Sequence, residues 1–231
     1  EHNSELVNEV KRQKIQIKFS YAVIAAHGYK KVKSATIGNL NSDKTDFNKI
    51  EKINCDCICV SGFWTPTVHL TSQSGNKLKF NEKIDAFVPN KSKQNEITIG
   101  SANGSFTLEE SLKQGFESGY NLSKKITNQE NKIKIPSITE KKFLPHDKFW
   151  CVPLPKNKNY KRFVDFQNDV AVSDVELALR EGYRSIEHVK RYTTLGMATD
   201  QGKTSNLNGL QLVSDVENKL VPQVGHTTFR P

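Results

Sequence analysis

Three cysteines at alternate positions are the most obvious candidates for metal or redox chemistry. Cys55, Cys57 and Cys59 form a CxCxC pattern within INCDCICVSG. This segment is predicted to be a strand, with the three thiols on one face and the outer two about 13 Å apart. One ion cannot bind all three at that spacing, although two neighbours and a remote ligand could hold zinc. With Cys151 as the fourth cysteine, we expect buried free thiols in a reducing compartment.

A second candidate is the turn in ITIGSANGSFTLEE, residues 97–110. A strand end, a glycine-containing turn and a helix start follow one another there. Backbone N–H groups and the helix dipole at such a start can bind a pyrophosphate. Gly100 and Gly104 would let the backbone approach the ligand closely. The alternative interpretation is a simple tight turn.

Two histidines stand among other distinctive residues: His69 in TPTVHL and His188 in SIEHVKRY. Neither has a visible nucleophile or carboxylate partner, so satisfied structural histidines are favoured over catalysis. Lys190 and Arg191 could bind a phosphate or an acidic partner, whereas a charged helix end is the simpler interpretation. The sequence contains no Ser/His/Asp arrangement, P-loop, HExxH or paired-carboxylate motif. We therefore assign no catalytic and no metal-binding residue.

Several secondary-structure elements must position these residues. The first is a helix, which apolar side chains at helical spacing predict over residues 3–14. Strands are predicted at IQIKFSYAVI and VKSATIGNL, followed by the cysteine-bearing strand and by short strands at IDAFVP and ITIG. This order is typical of the later part of a nucleotide-type α/β domain. The opening strand and a GxGxxG turn are missing from it.

A long helix is predicted from about Leu108 to Ile126. Thr107 and Glu110 form a capping box at its start. Gly115 and Gly119 are expected to let another element pack closely against it.

The last third is predicted to be a small helical module after a polar linker at residues 127–148. Its short helices cover residues 173–180, 185–189 and 205–220. Ser173 and Glu176 form a capping box, Gly182 ends the first helix, and Ser185 caps the second.

The amino-acid composition restricts the class of protein to which the chain can belong. The 231 residues are 35% hydrophobic and 26% charged, with a mean hydropathy of -0.60, as in globular proteins. No apolar run reaches the ~20 residues that cross a bilayer, and the first residues are too polar for a secretory signal. We therefore expect a cytoplasmic protein without membrane contact.

The formal net charge of +9 and the pI of about 9.3 are compatible with binding to nucleic acid. The lysines are nevertheless scattered along the chain without an arginine-rich stripe or interleaved aromatics, so we expect no nucleic-acid partner. The chain opens inside a helix and stops at VGHTTFRP without a capping element. These ends predict an internal piece of a longer polypeptide.

The segment CDCICVSGFWTPTVHLTSQSGNKLKF resembles the alpha subunits of heterotetrameric sarcosine oxidases, whose pattern there is close to SGGWNPxVHLxSQ. Further segments follow in that family's order: IDAFVP, GSANGSFTLEESLKQG, FVDFQNDVAVSDVELALREGYRSIEHVKRYTTLGMATDQGKTSN and VPQVGHTTFRP. Together they cover most of residues 50–231. The run EHVKRYTTLGMATDQGKTSN is long and specific.

The resemblance implies an α/β fold made of partial dinucleotide-binding Rossmann-like domains, followed by a small helical module. Residues 1–60 would end an inserted nucleotide-type domain, and residues 61–127 would close the first dinucleotide-binding domain. Residues 128–160 would be a linker, and residues 161–221 the helical module. Residues 222–231 would begin a folate-binding aminomethyltransferase-like domain.

The helical module is also similar to the [2Fe–2S] module of bacterioferritin-associated ferredoxin-like proteins, which uses CxC followed later by CQGxxC. The matching positions here are Asp165, Gln167, Asp200 and Ser205. Because no thiolate remains at any of them, we expect a module without a [2Fe–2S] cluster.

By resemblance, the whole enzyme oxidises sarcosine to glycine and hydrogen peroxide at a flavin carried by the beta subunit. It passes the one-carbon unit to tetrahydrofolate, which the absent C-terminal domain would bind. The alpha subunit would hold NAD, while FAD and FMN belong to the assembled enzyme of alpha, beta, gamma and delta subunits. The positions matching the NAD-side motif are Gly100, Ser101, Ala102, Asn103 and Thr107.

Two departures from the family pattern are Phe63, where glycine is usual, and Thr65, where asparagine is common. A related amine or amino-acid dehydrogenase subunit of N-methylglutamate or opine type is an alternative, although the VPQVGHTTFRP ending argues against the opine type. A non-catalytic scaffold module is the other alternative.

Overall fold

A computed structural model describes residues 4–62, 64–128, 134–136, 138, 149–226 and 229. The chain divides into two compact units, Glu1–Val60 with Cys151–Arg162, and Ser61–Trp150 with Phe163–Pro231. Phe63 and parts of the predicted linker and of the predicted folate-domain start lie outside the described residues. The predicted domain boundaries stay predictions.

The first unit contains an antiparallel sheet of three strands, in the order of the sequence. Its elements are α1 (Glu5–Arg12), β1 (Tyr21–Gly28), β2 (Val32–Leu40) and β3 (Phe47–Asn54). Ile24 and Ala35 are its buried apolar side chains among the described residues. A Cβ atom at Gly38 would lie 2.3 Å from Phe47 Cδ1 and 2.7 Å from Ile24 Cδ1. Glycine therefore leaves room on β2 for side chains of both flanking strands.

The structure confirms the helix predicted over residues 3–14 and the strand predicted over VKSATIGNL. The strand predicted over IQIKFSYAVI begins later, at Tyr21. All pairings between the described strands are antiparallel. The described residues therefore mix helices with antiparallel strands, and the Rossmann-like assignment rests on the resemblance.

The prediction that the cysteines share a buried strand is wrong. β3 pairs with β2 as far as Asn54 opposite Ser34, and the Cys55 N–H donates to the Lys33 carbonyl at 3.2 Å. Because β2 begins at Val32, the chain beyond Cys55 has almost no partner strand left. Cys57 and Cys59 are exposed, with their sulfur atoms 3.8 Å apart.

The second unit begins with a short helix and a hairpin that lead to the long helix. These elements are α2 (His69–Gln73), β4 (Leu78–Asn81), β5 (Ala86–Pro89) and α3 (Leu108–Thr127). The strand predicted at IDAFVP is confirmed as β5, whose Ala86, Phe87 and Val88 are buried. The strand predicted at ITIG is wrong, because the chain enters a 3₁₀ turn at Gly100–Asn103.

The rest of the second unit is mainly helical, as predicted. It contains β6 (Phe163–Asp165), β7 (Val170–Ala171), α4 (Val172–Arg180), α5 (Ile186–Thr193), α6 (Asn206–Glu217) and α7 (Val221–Val224). The least exposed apolar side chains in these segments are Val175, Ala178, Val189, Leu195, Leu210 and Val213. Each large one contributes roughly 1.5–3 kcal/mol by leaving water.

The ends of α4 follow a different pattern from the predicted capping box. The Asp174 carboxylate accepts the Ala171 N–H at 2.8 Å, so Asp174 replaces Ser173 and Glu176 in that role. Gly182 ends the helix as predicted, with a φ of 97°. Its N–H and that of Tyr183 donate back into the last turn, as in a Schellman motif.

The expectation that α3 packs closely through its glycines is wrong for the described residues. A Cβ at Gly119 would meet nothing within 4 Å, and one at Gly115 would meet only Ile99 Cδ1 at 4.0 Å. The predicted start is confirmed, since Thr107 Oγ1 accepts the Glu110 N–H at 3.2 Å. None of the described helices is both long and apolar enough to traverse a lipid bilayer.

The two helix glycines Gly119 and Gly209 should respond oppositely to substitution by alanine. A Cβ at Gly209 would lie 2.4 Å from Leu195 Cδ2 in the packed core, so Gly209→Ala should lower the free energy of unfolding by about 1–3 kcal/mol. Gly119→Ala should raise it by about 0.5–1 kcal/mol, since alanine favours the helix without a clash. Urea unfolding measures both. Equal effects of the two substitutions would contradict the packing described.

Candidate functional site

The residues predicted to bind NAD lie together in the turn that leads into α3. Gly100–Asn103 form the 3₁₀ turn, and Thr107 is the N-cap of the 20-residue α3. Gly100 and Gly104 both have a positive φ, 65° and 85°, which glycine adopts without strain. The sequence thus located one continuous turn at the positive end of a long helix dipole.

Several polar groups of this turn are already used within the chain. Gln114 Oε1 accepts the Gly100 N–H at 2.8 Å, and Gln114 Nε2 donates to Ser105 Oγ at 2.6 Å. A Cβ at Gly104 would lie 2.8 Å from Ile84 Cδ1, so this glycine permits internal packing. The packing and hydrogen bonding of the chain therefore explain why glycine occupies these positions without a ligand. A cofactor role for this turn stays a prediction.

A second place with chemical potential is a small cavity in the second unit, of about 40 Å³. Residues of α2, β5, α6 and the segment before α6 line it. Its lining includes His69, Phe87, Lys203, Asn206, Leu210 and Phe229. Sequence reasoning singled out His69 but did not bring it together with Asn206 or Lys203.

His69 is the first residue of α2 and is 7% exposed. The Phe229 ring packs edge-on against its imidazole at a centroid distance of 5.6 Å. Burial, and secondarily the positive charge of Lys203, lower the pKa of His69 below its ordinary value of 6.5. Its Nδ1 atom is buried without a hydrogen-bond partner among the described residues. The expectation of a satisfied structural histidine is therefore wrong at this atom.

Asn206 begins α6 and is 5% exposed. Its Oδ1 atom also lacks a partner among the described residues. A Cβ at Gly196 or Gly202 would lie 2.2 Å from atoms of the Asn206 amide. These two glycines, both with positive φ, leave the space in which the amide sits. In the sequence, the two glycines that precede Asn206 are the signal from which its buried position could have been predicted.

The four positions that match cluster ligands are occupied by polar side chains with internal hydrogen bonds. Asp165 Oδ2 accepts the Gly196 N–H at 2.7 Å and the Ser205 hydroxyl at 3.4 Å. Gln167 Oε1 accepts the Thr199 hydroxyl at 2.8 Å. Asp200 Oδ2 accepts the Thr204 hydroxyl at 2.6 Å. Three of these side chains accept hydrogen bonds and Ser205 donates one, and together they hold loops.

The remaining candidates do not join either place. His188 is exposed on α5. Arg191 pairs with the Glu187 carboxylate at 3.0 Å, which agrees with the charged helix end rather than with a phosphate site. Within the described part of the chain, no three His, Cys, Asp or Glu side chains are grouped so that they could hold a metal ion.

Comparison with known proteins relates the chain to one family. Residues 159–231 match the family model of the sarcosine oxidase A3 domain. The sarcosine oxidase subunit alpha of Rhizobium meliloti is 34% identical over 184 residues, covering 79% of this chain and 18% of that protein. The corresponding subunit of Corynebacterium sp. (strain P-1) is 32% identical over 199 residues, covering 84% of this chain and 20% of that protein. The chain thus spans about a fifth of the length of these curated relatives.

A solved structure also resembles the chain. The L-proline dehydrogenase of P. horikoshii aligns with a TM-score of 0.54 and 20% identity, over 98% of this chain and 45% of that one. This likeness concerns the fold alone.

The buried His69 should make stability depend on pH. Its pKa is lower in the folded chain than its ordinary value of 6.5, so below pH 6.5 the unfolded chain binds a proton that the folded chain resists. The free energy of unfolding should therefore fall as the pH drops through 6.5 toward the folded pKa. His69→Phe should remove this component in urea unfolding followed from pH 8 to 5.

His188→Gln is the matched control, because the His188 ring is exposed. This substitution should leave the dependence of stability on pH as it is in the unaltered chain. A His69→Phe profile identical to that of the unaltered chain would contradict the burial argument.

Proposed function

The chain is related to sarcosine oxidase alpha subunits over most of its length, and from this relationship we propose that it acts as part of such an oxidoreductase subunit. The single observation that carries the proposal is the match of residues 159–231 to the sarcosine oxidase A3 domain. Identities of 31–34% to three such subunits, over 79–85% of this chain, support it. In this assembly the chain supplies dinucleotide-binding and subunit-interface structure.

The proposed overall reaction converts sarcosine to glycine. Molecular oxygen is the electron acceptor and is reduced to hydrogen peroxide, and the one-carbon unit passes to tetrahydrofolate. FAD and FMN supply the redox chemistry in the assembled enzyme. We assign none of these steps to a side chain of this chain, whose contribution is to bind and to position.

The proposed NAD-binding element is the turn of Gly100, Ser101, Ala102 and Asn103 with the N-cap Thr107. The positive end of α3 favours a pyrophosphate there. The carboxylates of Glu109 and Glu110 occupy the first turn of the same helix and offset part of that field. Further groups must therefore contribute to holding the dinucleotide.

Exposed apolar side chains of the second unit support the proposed interface role. Trp64, Leu70 and Ile126 are 71%, 77% and 81% exposed. Large apolar side chains on a surface are typical of contact regions when they form patches. We propose that the beta, gamma and delta subunits, or further parts of the alpha subunit, cover such positions.

A related amine or amino-acid dehydrogenase subunit of N-methylglutamate or opine type is the second candidate, and the fold likeness to the L-proline dehydrogenase is compatible with it. The two candidates differ in their amine substrate and electron acceptor. One experiment can therefore distinguish the two candidate functions.

That experiment isolates the protein together with its co-purifying subunits, identifies the released cofactors by absorbance and mass, and counts iron. Peroxide formation is then measured with sarcosine, with and without tetrahydrofolate. We expect NAD, flavin and sarcosine-dependent peroxide. Flavin with turnover of another amine would favour the dehydrogenase, and the absence of both nucleotides would leave only a scaffold role.

Asn103→Asp should weaken NAD binding about tenfold if the turn holds the pyrophosphate, because it adds a negative charge beside the ligand. Asn121→Asp makes the same change at an exposed position in the middle of α3 and should leave the affinity unaltered. Calorimetry of both variants in the assembled protein measures the difference. Equal affinities would remove the turn from the NAD site.

A further inference from the structure

Two buried polar atoms without partners among the described residues belong to side chains that line the same cavity of the second unit. They are His69 Nδ1 and Asn206 Oδ1, and both residues line the cavity. Buried polar groups in proteins nearly always have a hydrogen-bond partner, since leaving one without a partner costs free energy. Because both residues border one space, we infer that a guest in it supplies the missing hydrogen bonds.

The space is suited to a small guest. Its volume of about 40 Å³ exceeds the roughly 10–15 Å³ that one water molecule needs. The lining includes the apolar side chains Val68, Phe87 and Leu210, each at most 7% exposed. Such a site combines an apolar enclosure with a few fixed polar groups, as ligand sites do.

The chemistry of the guest follows from the two atoms. The Asn206 Nδ2 group donates toward the Gln201 carbonyl at 3.5 Å, so Oδ1 is the side of the amide left for the guest and requires a donor. A neutral imidazole can donate through Nδ1. Lys203 also lines the cavity, and its positive charge disfavours a cationic guest.

A small guest without positive charge, which donates to Asn206 Oδ1 and accepts from the Nδ1–H tautomer of His69, would satisfy both atoms. A primary carboxamide has this arrangement on three planar heavy atoms. We propose that the cavity binds a primary carboxamide group, whose NH₂ donates to Asn206 Oδ1 and whose oxygen accepts from His69 Nδ1. This site does not depend on the proposed dinucleotide function.

The test is a titration of the purified full chain with acetamide, followed by NMR at the His69 ring nitrogens and the Leu210 methyl groups. Acetone keeps the acceptor but lacks the donor, and acetate carries a charge and no donor. We expect saturable shifts with acetamide and at least about tenfold weaker binding of acetone and acetate. Nicotinamide as a fourth probe distinguishes a carboxamide carried on an aromatic ring from an aliphatic one.

Asn206→Leu should abolish the acetamide shifts, whereas Asn208→Leu on the same helix should retain them. If the Asn206→Leu variant fails to fold, the comparison of acetamide with acetone on the unaltered chain still tests whether the cavity binds a carboxamide. No shift with any amide, or equal shifts with acetamide and acetone, would overturn the proposal and leave the cavity as a site for water.

Discussion

The buried carboxylate of Asp165 is the interaction on which the helical half of the second unit depends. Besides Gly196 and Ser205, it accepts the backbone N–H groups of Gln167 and Asn168 at 2.9 and 3.3 Å. Hydrogen bonds to an ionised acceptor are stronger than neutral ones. They attach the end of β6 to the loop after α5 and to the residue that precedes α6. The position of Asn206 at the cavity follows from this attachment.

The same carboxylate occupies one of the positions that the predicted resemblance to ferredoxin-like modules assigns to cluster ligands. The positions that this resemblance assigns to thiolates carry hydrogen-bonding side chains here, and at two of them the Ser205 hydroxyl donates to the Asp165 carboxylate. A network of polar side chains can hold such loops in place of metal bonds. The helical module is thereby suited to a role in packing and positioning.

The two places of chemical interest differ in how they are built. The turn before α3 offers a helix dipole but uses its Gly100 N–H on Gln114, so a dinucleotide bound there would need further groups. The cavity at His69 offers two unsatisfied atoms in an apolar enclosure, which selects for hydrogen-bonding shape rather than charge. A dinucleotide role for the first and a carboxamide role for the second are therefore independent of each other.

By itself the sequence determined the likeness to sarcosine oxidase alpha subunits. It also determined the start of α3, the end of α4 and the location of the turn, because these depend on residues a few positions apart. The Thr107 cap and the Gly182 stop are examples, since each bond closes within five residues. Only the tertiary structure decided that the cysteines leave the sheet, since the strand ends where β2 offers no further partner. It also decided that His69 and Asn206 share a cavity, because burial and distance between remote residues depend on packing that no local pattern encodes.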